Sequence, residues 1–321
     1  MIPIFRITLA IVVLLTIMAC DRPVLAEEQK AILVTGASTG IGREIAETLA
    51  REGYFVYAGA RKQKDMDALN EIENIQAIRI DVTIQSEIDA AAETVKAGGK
   101  GLYGLINNAG VYFGGPLIEV DVADVQWLMD VNVYGVMRVT QAFAPMIIES
   151  KGRISTIGSI AGILTGNFSG PYSMSKHAIE AYTDGLAREM EKFGVHVSVI
   201  EPGNYDSDIA KTAVEKIFAD KKSFEGSYYE EELTAWANRP WDRSIYKSPE
   251  EVAEAALHAM SSDSPVRRYM VVPSEEEAGW TINKAVEELV QLNEWQAYSY
   301  TRDQLIEKLD AAMAPEAAAD D

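Results

Sequence analysis

Short, nearly continuous apolar runs alternate along this chain with longer amphipathic stretches. The apolar runs lie at 31–35, 54–59, 75–80, 102–106, 153–158, 195–200 and 268–272, and each has the length of a strand. Little polar interruption, as in Val195–Ile200, marks strands covered on both faces. Between them, residues 43–52, 84–96, 121–148, 172–193 and 249–261 read as helices; Ile45, Ala46, Leu49 and Ala50 set one apolar face. Strands that alternate with helices predict an α/β fold built on a parallel sheet. Two further helical stretches, Ser274–Val290 and Thr301–Met313, follow the last strand, with Trp280 and Trp295 on or beside the first. Ala314–Asp321 is acidic and alanine-rich and is expected to fray.

The N-terminal pattern is different. Ile7–Ala19 is an uncharged run of thirteen residues after a single basic residue, Arg6. It suits a signal h-region of roughly 7–15 residues better than a spanning helix of about 20. Residues 1–26 therefore read as a signal-like or membrane-anchor segment ahead of a domain at 30–272 and a helical extension at 273–321. Cleavage after Ala19 or Ala26, an uncleaved anchor with a cytoplasmic body, and a start codon placed too early all remain open. Of these, the anchor with a cytoplasmic body is the leading reading.

Composition narrows the partners. With 321 residues and 48% apolar content, one large domain can bury a sizeable core. A formal net charge of −20 opposes nucleic acid and an anionic bilayer as electrostatic partners. The single cysteine, Cys20, excludes an intrachain disulfide, and His177, His196 and His258 have no metal-ligand spacing, so no metal is expected.

Two segments carry candidate chemistry. Gly36-Ala37-Ser38-Thr39-Gly40-Ile41-Gly42 stands between a strand and a helix. Glycines there let the backbone approach a pyrophosphate that faces a helix N-terminus, although they would equally serve a tight turn. The second strand ends at Ala60-Arg61-Lys62, where a carboxylate would take a ribose hydroxyl. Arg61 instead can fork onto a 2′-phosphate, favouring NADP(H) over NAD(H); a solvated surface arginine is the alternative.

Further on, Tyr172 and Lys176 stand one helical turn apart, thirteen residues after Ser159. An ammonium beside a phenol is expected to lower its pKa from about 10 and make it a usable proton donor and acceptor. Ser159 could hold a carbonyl oxygen beside the phenol.

Together with Asn107-Asn108-Ala109-Gly110, Asn132 and Pro202-Gly203, these motifs resemble the short-chain dehydrogenase/reductase family from about Lys30 to Val272. The resemblance implies a Rossmann-like, doubly wound, seven-stranded parallel sheet with helices on both faces. It implies a catalytic set of Asn132, Ser159, Tyr172 and Lys176, with Asn132 supporting a water-linked proton path behind the lysine. It also implies a cofactor site of Gly36, Ser38, Thr39, Gly40, Ile41, Gly42, Arg61, Asp81, Val82, Asn108, Tyr172, Lys176, Pro202, Gly203 and Ser207. Asp81-Val82 would contact the adenine, and Lys176 the nicotinamide ribose. Ser207 stands where the family often has threonine and keeps the hydroxyl; Asp208 beside it has no evident part. The long helices 121–148 and 172–193 resemble the family's dimer-forming pair, which implies a homodimer or homotetramer.

The long segment Asn204–Tyr246 holds Phe218, Phe224, Tyr228, Tyr229, Trp236, Trp241 and Tyr246. It reads as a lid over the cofactor site, with Leu164, Phe168 and Pro171 as the opposite wall. An apolar alcohol or ketone of steroid, retinoid or lipid type follows, unless the aromatics only glue the lid down. The leading function is NADP(H)-dependent interconversion of a carbonyl and an alcohol. A cofactor-binding sensor and a membrane-tethered scaffold without turnover are the alternatives.

Overall fold

A computed structural model of the chain describes residues 29–209, 224–239 and 241–314. The segment 1–26, the lid residue Phe218 and the acidic tail after Ala314 lie outside these residues.

Seven strands form one parallel sheet: β1 (Ala31–Val34), β2 (Phe55–Ala60), β3 (Ile75–Arg79), β4 (Gly104–Asn107), β5 (Arg153–Ile157), β6 (His196–Pro202) and β7 (Arg268–Val271). Their order is 3-2-1-4-5-6-7, so the chain reverses direction across the sheet between β1 and β4. Alternation within each strand feeds two cores. Ile32 and Val34 of β1 face one way, with α1 (Gly40–Arg51), α2 (Gln63–Asn70) and α8 (Glu250–Ser261) packed over them. Ala31 and Leu33 face the other way, toward α3 (Gln85–Ala97), α5 (Gly135–Ser150) and α6 (Gly170–Glu191). The expected doubly wound α/β fold is present.

The predicted helix over 121–148 is interrupted. Val122–Met129 (α4) passes through a π-helical turn, Asp130–Tyr134, before α5 begins. A π-turn takes one extra residue without disturbing the apolar spacing much, so periodicity does not reveal it, and such turns concentrate at functional positions. This one carries Asn132. The short α2 also went unpredicted. Beyond β6, α7 (Glu230–Ala237) lies in the aromatic segment. The C-terminal extension forms α9 (Glu275–Glu294) and α10 (Arg302–Met313), close to expectation, with Ser274 and Thr301 as side-chain N-caps. Among the described residues no helix is long and apolar enough to cross a membrane.

Candidate active site

The reversal between β1 and β4 opens a crevice at the carboxyl ends of the strands, where ligands bind in open α/β sheets. One cavity of about 650 Å³ occupies it.

At one end lies the glycine turn. Gly36 and Gly40 take φ of +65° and +55°, a region that penalises other residues. A Cβ at Gly42 would overlap the Asn108 side chain and the Gly36 carbonyl. Asn108 locks the turn to β4, donating from Nδ2 to the carbonyls of Thr35 (2.9 Å) and Gly36 (3.0 Å). Thr35 Oγ1 returns the contact by accepting from the Asn108 and Ala109 amides. Thr39, at the N-cap of α1, makes no side-chain capping bond, which leaves the first-turn amides for an anion. This cradle fits a dinucleotide pyrophosphate.

Arg61 and Asp81 close that end. Arg61 Nη1 lies 3.6 Å from Asp81 Oδ2, and the arginine is otherwise exposed. Burial pushes the Asp81 carboxyl up, but hydrogen bonds from Thr83 and the charge of Arg61 outweigh it and hold the group below its ordinary value. The arginine is therefore already paired with a carboxylate.

At the other end stand Ser159, Tyr172 and Lys176. Ser159 follows β5 and caps a 3₁₀ turn, its hydroxyl accepting from the Ala161 amide at 3.1 Å. Tyr172 and Lys176 lie in the first two turns of α6, which starts two residues earlier than expected. Lys176 is buried and donates to the Ile157 carbonyl at 2.8 Å, with its Nζ 5.7 Å from the centre of the Tyr172 ring.

The expected low phenol pKa is not found. Burial pushes the Tyr172 hydroxyl up to about 12, against a smaller downward pull from its Ser159 hydrogen bond and the Arg243 charge. Burial also drives Lys176 down to about 8, partly offset by the Glu180 carboxylate. Desolvation thus opposes the charged form of each partner, and it exceeds the ammonium's pull that the sequence spacing suggested.

Every predicted cofactor residue lines this cavity, as do Ser159 and the previously unplaced Asp208. Asn132 is not among the lining residues. Its amide is buried behind α6, donating to the Val111 carbonyl and Ser175 Oγ and accepting from the Val111 amide. His177 is exposed on the helix face and meets the Ser173 carbonyl.

The aromatic segment does reach the site. Trp236 and Leu233 pack with Phe113 and Leu128 in a separate apolar cluster that includes Phe168, Tyr172, Phe224, Tyr229 and Trp241. Tyr112 stacks 5.0 Å from Tyr172 and 6.5 Å from Trp241. Of the expected opposite wall, Leu164 lines the cavity, whereas Phe168 packs on Tyr229 and Trp236. Tyr228 is exposed.

Sequence reasoning missed Tyr112, Arg243, Glu277 and Trp280. Tyr112 stands two residues after the Asn-Asn-Ala-Gly motif, a position that could have flagged it. Glu277 of α9 accepts from the Asn204 amide and side chain at 2.9 and 3.1 Å, pinning the loop after β6. Trp280, one turn on, lines the cavity. The C-terminal extension is part of the site's construction.

The short chain dehydrogenase family matches residues 30–217. Bovine mitochondrial D-beta-hydroxybutyrate dehydrogenase is 31% identical, over 75% of this chain and 76% of that protein. Mouse retinol dehydrogenase 16 is 30% identical over 79% and 81%. Among solved structures, a short-chain dehydrogenase from Streptomyces avermitilis superposes with a TM-score of 0.70 and 26% identity, over 90% of this chain and all of that one. Actinorhodin polyketide ketoreductase with NADPH gives 0.63 and 29%, over 76% and 95%. A Burkholderia phymatum relative in complex with NAD gives 0.70 at 24%, over 85% and 99%, a likeness of fold.

Proposed function

Because this chain belongs to the short-chain dehydrogenase family, an oxidoreductase family whose members use NAD(H) or NADP(H), we propose that it interconverts a carbonyl and an alcohol with NADP(H). The observation that carries this reading is one cavity lined by the glycine turn, Arg61, Ser159, Tyr172 and Lys176. Names of the relatives speak of hydroxybutyrate and retinol, both alcohols. Apolar walls at Tyr112, Leu164 and Trp280 support a substrate with an apolar body.

When bound, the cofactor supplies or accepts a hydride at the nicotinamide. The chain's residues do the rest. Ser159 Oγ holds the substrate oxygen beside the phenol. In reduction, Tyr172 Oη gives its proton to that oxygen, and a high pKa keeps it protonated for this duty at neutral pH. In oxidation it takes the proton back, and Lys176 would hold the nicotinamide ribose while its ammonium works against the burial that raises the phenol. Asn132 holds the Val111 backbone and the start of α6 in register behind the lysine.

Arg61, 3.6 Å from Asp81, is the residue that would hold a 2′-phosphate. Residues 1–26 attach the body to a membrane, a reading that rests on the uncharged run Ile7–Ala19. The α4–α5 and α6 faces build a homo-oligomer. Soluble full-length protein after cell fractionation would count against the attachment.

The functional test pairs wild type with Tyr172→Phe in NADPH-driven reduction of a carbonyl panel. Turnover should fall by about 10²–10⁴-fold while fold and cofactor affinity persist. Cofactor binding with no turnover on any carbonyl would return the sensor reading. Neither binding nor turnover would return the scaffold.

A further inference from the structure

Arg243 is the feature the proposed chemistry does not use. It lines the same cavity as Ser159 and Tyr172 and is partly buried there. Its Nε and Nη2 donate to the Tyr205 carbonyl at 3.0 and 2.8 Å, and Nη2 reaches Asn204 Oδ1 at 3.5 Å. The Tyr246 ring centre is 4.7 Å from its Cζ. All of these partners are neutral. Among the described residues Nη1 makes no hydrogen bond and the guanidinium has no carboxylate within 4.0 Å.

The chain carries 49 acidic residues against 29 basic ones. Arg43, Arg51, Arg61, Arg79, Arg138 and Arg268 each find a carboxylate, whereas the buried Arg153 donates to the Ala259 carbonyl away from this cavity. Asp206 and Glu277 act on Arg243 only through their fields, and both Glu277 oxygens are engaged by Asn204. A partly buried guanidinium with no carboxylate in contact among the described residues is incompletely compensated, and its place in a cavity wall argues for an anion supplied from outside. It shares the cavity wall with Ser159 and Tyr172, which places the anion on the side of the reacting oxygen. The glycine turn and Arg61 serve cofactor phosphates separately.

We propose that the substrate is an amphipathic oxo or hydroxy acid whose carboxylate is received by Arg243 while its apolar part lies along Tyr112, Leu164 and Trp280. The inference rests on the oxidoreductase reading of the same cavity and narrows its substrate class. A guanidinium fork with its free Nη1 edge suits a carboxylate in two-point contact.

Hexanoate and hexanamide are matched probes, titrated calorimetrically into the NADPH-saturated full-length protein. Hexanoate should bind at least about tenfold more tightly, as expected for a charge-assisted contact. Arg243→Gln should reduce that ratio below about threefold, and Arg243→Lys, which keeps the charge, should retain part of it. Circular dichroism checks the fold, and Arg243→Lys carries the test if the glutamine variant unfolds. No preference for hexanoate in wild type would overturn the proposal. So would an Arg243→Gln protein that loses NADPH affinity and keeps the hexanoate preference, since the arginine would then be a cofactor contact. Reduction of neutral ketones without any hexanoate preference would leave the oxidoreductase reading standing and remove this one. An Arg243-dependent preference in a protein that reduces no carbonyl would do the reverse.

Discussion

The two ends of the cavity are built by opposite means. At the cofactor end, the glycine turn, the uncapped start of α1 and Asn108 shape a backbone surface within a βαβ unit and its neighbouring strand. At the substrate end, Tyr112, Leu164, Arg243 and the α9 pair Glu277 and Trp280 arrive from four separated stretches of chain and contribute side chains. A backbone surface demands particular residue types at fixed spacing. A side-chain surface demands only that distant elements converge, so its residue types are free to vary with the substrate.

The largest loss at the cofactor end is expected from Gly42. Gly42→Ala puts a methyl group into the Asn108 side chain and the Gly36 carbonyl. Overpacking of this kind costs about 1–3 kcal/mol, so NADPH affinity should fall by roughly 10–100-fold. Fluorescence titration measures it. Undiminished NADPH binding would show that the turn is not the cofactor's cradle.

Arg61→Ala comes next. A charge-assisted contact contributes about 1.5–3 kcal/mol, and the low end applies because Arg61 is exposed and already shared with Asp81. NADPH should bind about tenfold more weakly, with NADH little changed. Equal losses for both cofactors would remove Arg61 as the phosphate reader.

Trp241→Ala sharpens the substrate side. It removes the aromatic neighbours of Tyr112 and Trp236, at 6.5 and 5.3 Å. Such pairs contribute about 0.5–1.5 kcal/mol, so KM for a carbonyl should rise severalfold while the NADPH dissociation constant stays within about twofold. A change in cofactor affinity of equal size would mean that the two ends are not separable.

The smallest effect is a pH slope. Lys176 is lowered from its ordinary 10.5 to about 8 in the folded chain, so between those values the unfolded chain binds the extra proton. Stability contributed by this residue therefore rises with pH across that window, and below it the burial penalty is felt in full. The urea midpoint of wild type relative to Lys176→Met should increase from about pH 7.5 to about pH 9.5. A flat difference would contradict the lowered value.

The same division explains what could be read from the chain. Gly36, Gly40 and Gly42, with Asn108, announce themselves because backbone geometry allows few substitutes, and the seven strands follow from apolar runs buried on both faces. Ser159, Tyr172 and Lys176 were legible from spacing along one helix and the strand before it. Their electrostatics were not, because desolvation depends on the Tyr112 and Trp241 side that closes over them. Asn204 and Glu277 are 73 residues apart, and no local pattern links them. The π-turn at Asp130–Tyr134 was hidden for another reason, since one added residue barely shifts a helical period.

We propose that this cavity moves a hydride between a nicotinamide and a substrate carbon while Tyr172 handles the oxygen's proton. NADPH carrying deuterium at the transferred position, incubated with the full-length protein and a panel of oxo acids and ketones, tests it directly by mass spectrometry of the alcohol formed. Wild type should place one deuterium on the carbinol carbon, and folded Tyr172→Phe should lose product formation by about 10²–10⁴-fold. Alcohol without deuterium, or an unimpaired Tyr172→Phe protein, would contradict it.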